Sequence, residues 1–213
     1  MKFIATDVLD TQQKMVEKAA IQLNTPGFAM DPYFYRSHVT YQSELEHIIF
    51  KSWLYAGHIS QVTEKGDYFL FDIGEDSIII CRDHEGEVRA MHNICRHRGA
   101  RVCEEAKGNR RAFVCPYHGW GYGTDGSLKA ARDMHVLEGF NPKDYSLKQV
   151  RLVLFQGMIF INCNPDAPDF VKPLSHIKDQ LGAYDLENAK VAHAETYRVN
   201  ANWKLCLENY LEC

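Results

Sequence analysis

The chain has 213 residues, 46% of them hydrophobic and 24% charged, which suits one or two globular domains with a sizeable core. A formal net charge of −4 at pH 7 gives no electrostatic case for nucleic acid, and no membrane span is expected, since the longest apolar stretch, within 152–161, contains Gln156 and Gly157. Asp7 arrives before any long apolar run, so no signal peptide is expected; 7 cysteines, scattered and odd in number, fit a reducing cytoplasm in which Cys81, Cys163 and Cys206 are small buried hydrophobes.

Taken in chain order, residues 10–23 alternate polar and apolar at helical spacing. A second helix is expected over 41–53, capped by Thr40, with Leu45, Ile48, Ile49 and Trp53 on one face. The period then changes. Residues 68–73, 77–81 and 87–93 read as short strands joined by turn chemistry at Gly74-Glu75-Asp76 and His84-Glu85-Gly86. Asp125-Gly126, between Gly121-Tyr122-Gly123 and Ser127-Leu128, looks like a hairpin turn, and strands within 149–163 close this module. The run Asn164-Pro165-Asp166-Ala167-Pro168-Asp169 breaks the composition and marks a candidate boundary. Beyond it, 170–181 should be helical, 194–200 a strand and 202–212 another helix. The expected fold is mainly β with flanking helices, without internal repeats.

Two doublets carry the chemistry: Cys95-x-His97 and Cys115-x-x-His118. Two thiolates on one ferric ion, two neutral imidazoles on another and two bridging sulfides make a Rieske [2Fe-2S] core of formal charge zero. Four cysteines would make it minus two. Adding an electron to the less negative core costs less Coulomb work, so histidine-ligated clusters sit at higher potential. A structural zinc site is the alternative, because Cys and His doublets also hold tetrahedral zinc. The surroundings argue against zinc: both doublets run Cys first and His last, and in Cys115-Pro116-Tyr117-His118-Gly119-Trp120 the proline sets the backbone while the glycine lets the loop fold closely, leaving its N–H groups to face sulfur.

At Cys95-Arg96-His97-Arg98-Gly99 and Cys115 to Trp120 the chain resembles the large (alpha) subunit of Rieske non-heme iron oxygenases. The likeness extends to His47-Ile48-Ile49-Phe50-Lys51-Ser52-Trp53, to Gly66-Asp67-Tyr68-Phe69, and to Asn202-Trp203-Lys204 followed by Glu208-Asn209-Tyr210-Leu211-Glu212. Respiratory and photosynthetic Rieske proteins carry an extra, disulfide-bonded cysteine in each loop, where this chain has Ala100 and Tyr117; Cys103 lies near but has no partner at 117. Small Rieske ferredoxins do not account for 165–213. The resemblance implies a helical arm over 1–40, an antiparallel Rieske [2Fe-2S] domain over 41–164, and over 165–213 the start of an α+β catalytic domain. Cys95, His97, Cys115 and His118 are the implied cluster ligands.

If 202–212 is helical, Glu208 and Glu212 stand four apart on one face, a like-charged pair that slightly destabilises an isolated helix. In the resembled family an acid three positions before the first iron-ligating histidine links the Rieske histidine of one subunit to the iron site of the next, and Glu212 matches that acid. Glutamate there resembles members that oxidise quaternary ammonium compounds such as carnitine or betaine, whereas many ring-hydroxylating dioxygenases have aspartate. Asn209 matches an asparagine near the iron, or is a solvated helix residue. By the same resemblance the mononuclear Fe(II) ligands would lie beyond Cys213, making the chain an N-terminal fragment of an oxygenase subunit.

The resemblance further implies electrons from NAD(P)H through a flavin or iron–sulfur reductase or a ferredoxin, a small organic substrate, and a homo-oligomer, plausibly a trimer. Stand-alone electron transfer is the alternative function. Arg96, Arg98, Arg101, Arg110 and Arg111 crowd the loops, where they either favour an acidic donor or are solvated. His58, His84, His92, His135 and His176 lack paired spacing and read as structural or exposed. Trp120 should pack beneath the second loop, and Tyr117 or Tyr122 could donate a hydrogen bond near the cluster.

Overall fold

The computed structural model describes residues 10–212 and divides them into two units, one over 51–193 and the other over 10–50 with 194–212. Segment 1–9, which holds the start of the expected arm and any signal sequence, and Cys213 lie outside the described residues.

Ten short strands build the first unit: β1 (Leu54–His58), β2 (Asp67–Ile73), β3 (Asp76–Arg82), β4 (Val88–His92), β5 (Lys107–Asn109), β6 (Ala112–Val114), β7 (Gly121–Gly123), β8 (Leu128–Ala130), β9 (Arg151–Phe155) and β10 (Met158–Asn162). They form three antiparallel sheets, ordered β1-β10-β9, β4-β3-β2-β5 and β6-β7-β8. The mainly β architecture with flanking helices is therefore present. Turn chemistry sets the registers. Gly74 and Glu75 join β2 to β3 with Ile73 opposite Asp76. Gln156 and Gly157 stand at φ +52° and +76° between β9 and β10, the double positive φ that a tight hairpin with native twist requires. Between β3 and β4, the Asp83 carboxylate is 1% exposed, accepts the N–H groups of Glu85 and Glu87 at 2.9 Å each, and pairs with Arg89 at 2.8 Å. Asp125 and Gly126 make the turn between β7 and β8.

The core of this unit gathers Tyr68, Ile79, Met91, Phe113, Trp120, Tyr122 and Leu147 around Cys95 and Cys115. The unit runs past the expected boundary at 164. Arg151 donates to the carbonyls of Pro165 and Ala167, Trp53 donates to Pro168, and Phe170 packs on Trp53 and Phe160 with ring centroids 5.3 and 4.5 Å apart. The proline-rich run is thus tied down rather than a free linker. Helix α4 (Val171–Gly182) follows, and the His58 ring donates its Nε2–H to the carbonyl of Leu186 at 2.9 Å.

The second unit holds α1 (Gln12–Leu23), α2 (Tyr33–Arg36), α3 (His38–His47) and α5 (Trp203–Leu211). The α3 helix starts before the expected 41 and its cap is Ser37, not Thr40, whose N–H donates to the Ser37 hydroxyl. It also ends early, at His47: after a 3₁₀ turn at Ile49–Lys51, the last residues of the expected helix lead into β1. Asp10 reinforces the α3 start by accepting from the Ser37 and Tyr33 hydroxyls and the N–H groups of His38 and Val39. The expected strand over 194–200 does not form; that segment is exposed and enters no ladder, and extended propensity alone does not make a strand. Cys206 is exposed and Cys163 half-buried, so of the three thiols expected inside only Cys81 is fully buried. Among the described residues no helix is long and apolar enough to cross a membrane.

Candidate metal centre

Two loops carry the four predicted ligands, and they are built alike. The first follows β4 and bears Cys95 and His97; the second joins β6 to β7 and bears Cys115 and His118. In each, the cysteine carbonyl accepts the N–H four residues on, from Gly99 and Gly119, at 3.0 Å. Each cysteine N–H in turn donates to the carbonyl five residues on, Ala100 and Trp120, at 2.8 Å. Closing a turn this way needs a left-handed residue at the fourth position, and Gly99 and Gly119 stand at φ +75° and +69°.

This closure sorts the side chains. Cys95 and Cys115 point into the core at 3% and 2% exposure, whereas His97 and His118 are exposed. The two imidazoles nevertheless lie together, ring centroids 4.6 Å apart at 72°. The Cys95 thiol disfavours a second thiolate at Cys115, while the backbone N–H groups of Tyr117 and His118 favour one. The structure therefore sets the two cysteines on the core side of the loops and brings the two histidines together on the exposed side.

Neighbouring groups hold this arrangement. The buried Trp120 stacks on His97 with centroids 5.1 Å apart and planes 8° from parallel, and Phe140 and Tyr145 back it edge-on at 6.1 and 5.8 Å. Of the two tyrosines considered, Tyr122 is the one at the site: its hydroxyl lies 3.3 Å from Cys95 Sγ and accepts the N–H of Arg96 at 3.0 Å. Tyr117 is exposed and packs on His118 with ring centroids 3.8 Å apart. Sequence reasoning passed over Asn93. Fully buried just after β4, it accepts the N–H groups of Val102 and Cys103 at 3.0 and 2.8 Å and donates to the Cys103 carbonyl at 2.7 Å, tying the return of the first loop to its start. An asparagine directly between an apolar strand and a ligand doublet was the available signal.

The two ligand types differ in their electrostatics. Burial pushes the Cys115 thiol up, so a bound metal would have to displace a proton that an isolated site holds tightly. Desolvation, then the neighbouring His118 and Arg98, hold His97 below the ordinary histidine value, which favours the neutral, ligating imidazole. Of the five arginines, Arg110 is engaged with Glu105 at 2.7 Å and Arg101 with Asp72 at 3.7 Å, while Arg96 and Arg98 are exposed beside the first loop.

A single-ion site does not fit as well. Among the described residues no three His, Cys, Asp or Glu side chains are placed to hold one metal ion. A two-iron, two-sulfide core asks less, since each iron takes only two protein ligands, here two inner sulfurs or two outer nitrogens. The donor set and its burial therefore fit a Rieske cluster better than tetrahedral zinc. Glu212 and Asn209 belong to the other unit; both are exposed, and the Glu212 N–H closes α5 by donating to the Glu208 carbonyl at 3.1 Å. Glu208 accepts from the Tyr35 hydroxyl at 2.7 and 3.0 Å, which relieves part of the like-charge conflict expected with Glu212.

Residues 52–141 match the model of the Rieske [2Fe-2S] domain. Over 190 residues the chain is 39% identical to the glycine betaine monooxygenase oxygenase subunit of Pseudomonas aeruginosa, covering 88% of this chain and 43% of that protein. The alpha subunit of biphenyl 2,3-dioxygenase from Rhodococcus jostii is 33% identical over 186 residues, covering 85% and 40%. A solved quaternary ammonium Rieske monooxygenase, described in terms of carnitine oxidation and inter-subunit electron transfer, superposes with a TM-score of 0.78 at 30% identity, covering 85% of this chain and 50% of that one. The chain spans about half the length of the relatives it matches.

Proposed function

This chain carries a Rieske [2Fe-2S] domain and is homologous to Rieske oxygenase alpha subunits, and on that basis we propose that it is the electron-delivering part of such a subunit. One observation carries the proposal: two loops of the same closure each carry a buried cysteine and an exposed histidine, and the two histidine rings meet. A [2Fe-2S] cluster held there by Cys95, Cys115, His97 and His118 would supply one-electron transfer at a potential raised above that of all-cysteine clusters. Cys95 and Cys115 anchor it to the core, and His97 and His118 offer their ring edges to whatever accepts or donates the electron. Trp120 keeps water from the inner side, and Tyr122 gives a hydrogen bond to the Cys95 sulfur. Arg96 and Arg98 favour an acidic donor, a flavin or iron–sulfur reductase or a ferredoxin drawing on NAD(P)H.

In the complete subunit the electron would pass on to a mononuclear Fe(II) site, where dioxygen is used on a small organic molecule. Glu212 is proposed as the bridge toward that iron, with Asn209 near it. Transfer across subunits requires a homo-oligomer, for which a trimer is proposed, in a reducing cytoplasm. A quaternary ammonium substrate is favoured by the glutamate at 212 and by relatives named for glycine betaine and described with carnitine.

The test begins with anaerobically purified protein. A red-brown solution, iron and acid-labile sulfide in equal amounts and a rhombic EPR signal on reduction support the cluster. His97→Cys should then lower the potential. A colourless protein that binds zinc, or an unchanged spectrum in His97→Cys, overturns the assignment. A cluster-loaded complete subunit that never consumes dioxygen with glycine betaine, carnitine or an aromatic substrate would instead leave stand-alone electron transfer.

A further inference from the structure

The helix that bears Glu212 is held by polar groups rather than by apolar packing. Lys204, in the first turn of α5, places its ammonium 2.7 and 2.8 Å from the two carboxylate oxygens of Glu44 on α3, and the side chains are only 9% and 12% exposed. The indole N–H of Trp203 donates to the same carboxylate at 2.9 Å. Next to this pair, Tyr35 on α2 donates its hydroxyl to Glu208, and its carbonyl accepts from Asn202 at 3.3 Å. The Lys204 ammonium also lies 5.7 and 5.4 Å from the ring centres of Tyr35 and Trp203. By contrast Leu205, Leu207, Tyr210 and Leu211 are 42 to 78% exposed, so the apolar side chains of α5 contribute little to seating it within the unit.

Spacing connects this network to Glu212. Residues 204, 208 and 212 are successive i, i+4 positions, so they follow one another along one face of the helix. The first two are gripped from α3 and α2, and the third is the proposed bridge. A buried ion pair is a poor source of net stability, because desolvation consumes most of its attraction and an apolar pair of similar volume would seat the helix as firmly. What Glu44, Lys204 and Tyr35 add is direction: hydrogen bonds fix the rotation and axial position of α5 in a way that apolar contact does not.

We propose that Glu44, Lys204, Tyr35 and Glu208 are positioning residues that set where Glu212 stands, and thereby the rate at which an electron leaves the cluster for the mononuclear iron. The inference rests on the bridging role given to Glu212 above. It is tested in the complete, cluster-loaded subunit by two readouts: hydrogen exchange of the α5 amides, and reoxidation of the reduced cluster in a single turnover with substrate and dioxygen. Lys204→Met should speed exchange over α5 by about a hundredfold, since it strands Glu44 without its cation. It should slow reoxidation by at least about tenfold, as small misplacements of reacting groups do, while reduction of the cluster by its donor protein stays unchanged.

Tyr35→Phe, the milder change, should do the same to a smaller degree and serves if Lys204→Met fails to fold. The paired change Glu44→Leu with Lys204→Met separates stability from positioning: exchange should return toward normal while reoxidation stays slow. Normal reoxidation in that pair, or unaltered α5 exchange in both single variants, overturns the proposal. If Glu212→Gln transfers normally, the bridging role itself fails and takes the inference with it. If Glu212→Gln is slow while Lys204→Met is normal, the clamp alone fails.

Discussion

Tyr122→Phe removes one oxygen from the centre and leaves the ring that fills the core. The Tyr122 hydroxyl has one proton and two lone pairs, and the Arg96 N–H, at 3.0 Å, occupies a lone pair. A metal-bound Cys95 is a thiolate with no proton to give, so across the 3.3 Å contact the tyrosine must be the donor. Burial, followed by the Cys95 sulfur, pushes the Tyr122 phenol well above its ordinary value, so it keeps that proton at any working pH. Reduction adds one negative charge to the centre and strengthens the bond, which therefore favours the reduced form. A hydrogen bond to a charged acceptor is worth about 1.5–3 kcal/mol, and if about 1–2 kcal/mol of it appears only on reduction, the midpoint should fall by roughly 40–90 mV in Tyr122→Phe. An EPR-monitored redox titration at fixed pH measures this. A potential that stays within about 10 mV of the parent, or rises, would refute the reasoning, provided the rhombic signal shows the cluster intact.

Two further expectations follow from the loops and the turn. A Cβ on Gly99 or Gly119 would meet no atom within 4 Å, so Gly99→Ala and Gly119→Ala should cost only the left-handed backbone, about 1–2 kcal/mol each. Gly99→Asn should cost less, which denaturant unfolding would register; a loss of more than about 4 kcal/mol would mean that the loops depend on these glycines for more than φ. Asp83→Ala removes the acceptor of two turn N–H groups and the partner of Arg89, and should destabilise by about 2–3 kcal/mol. Burial alone would raise the Asp83 carboxyl, but Arg89 and the N–H donors outweigh it and hold it below the ordinary value. Its folded-state value is thus depressed, so its contribution is present above the unfolded value near ~3.9 and fades as pH falls through the lower folded one. The gap between parent and Asp83→Ala stabilities should therefore begin to narrow as pH falls below about 4, and a gap that does not shrink on further acidification would contradict the assignment.

Much of this molecule was legible locally. The turns at Gly74-Glu75 and Asp125-Gly126 were found because their signals lie within two residues of the bend they make. Helix α5 is legible in its own residues, and the structure adds that Asn202 caps it. Where chain neighbours gave a false lead, a competing partner had won. Thr40 is a good cap residue, but Ser37 three positions earlier takes that role with Asp10 behind it. Residues 48–53 carry helical periodicity, yet the chain leaves the helix there to reach β10, whose residues 158–161 pair with β1. No local pattern announces that Tyr35 will meet Glu208, 173 positions away.

The sequence by itself determined the chemistry of the centre: two thiols and two imidazoles at short, loop-like spacing, with glycines where the backbone must turn left-handed. Ligand identity and turn geometry are properties of adjacent residues and survive without knowing the rest of the chain. Only the tertiary structure decided which tyrosine reaches a sulfur, that sulfur faces the core while nitrogen faces water, that Asn93 ties the first loop shut, and that α5 hangs on a buried ion pair. Each of those depends on distant segments meeting, and such meetings are fixed by the packing of whole faces and the burial of charge, which no short window of residues contains.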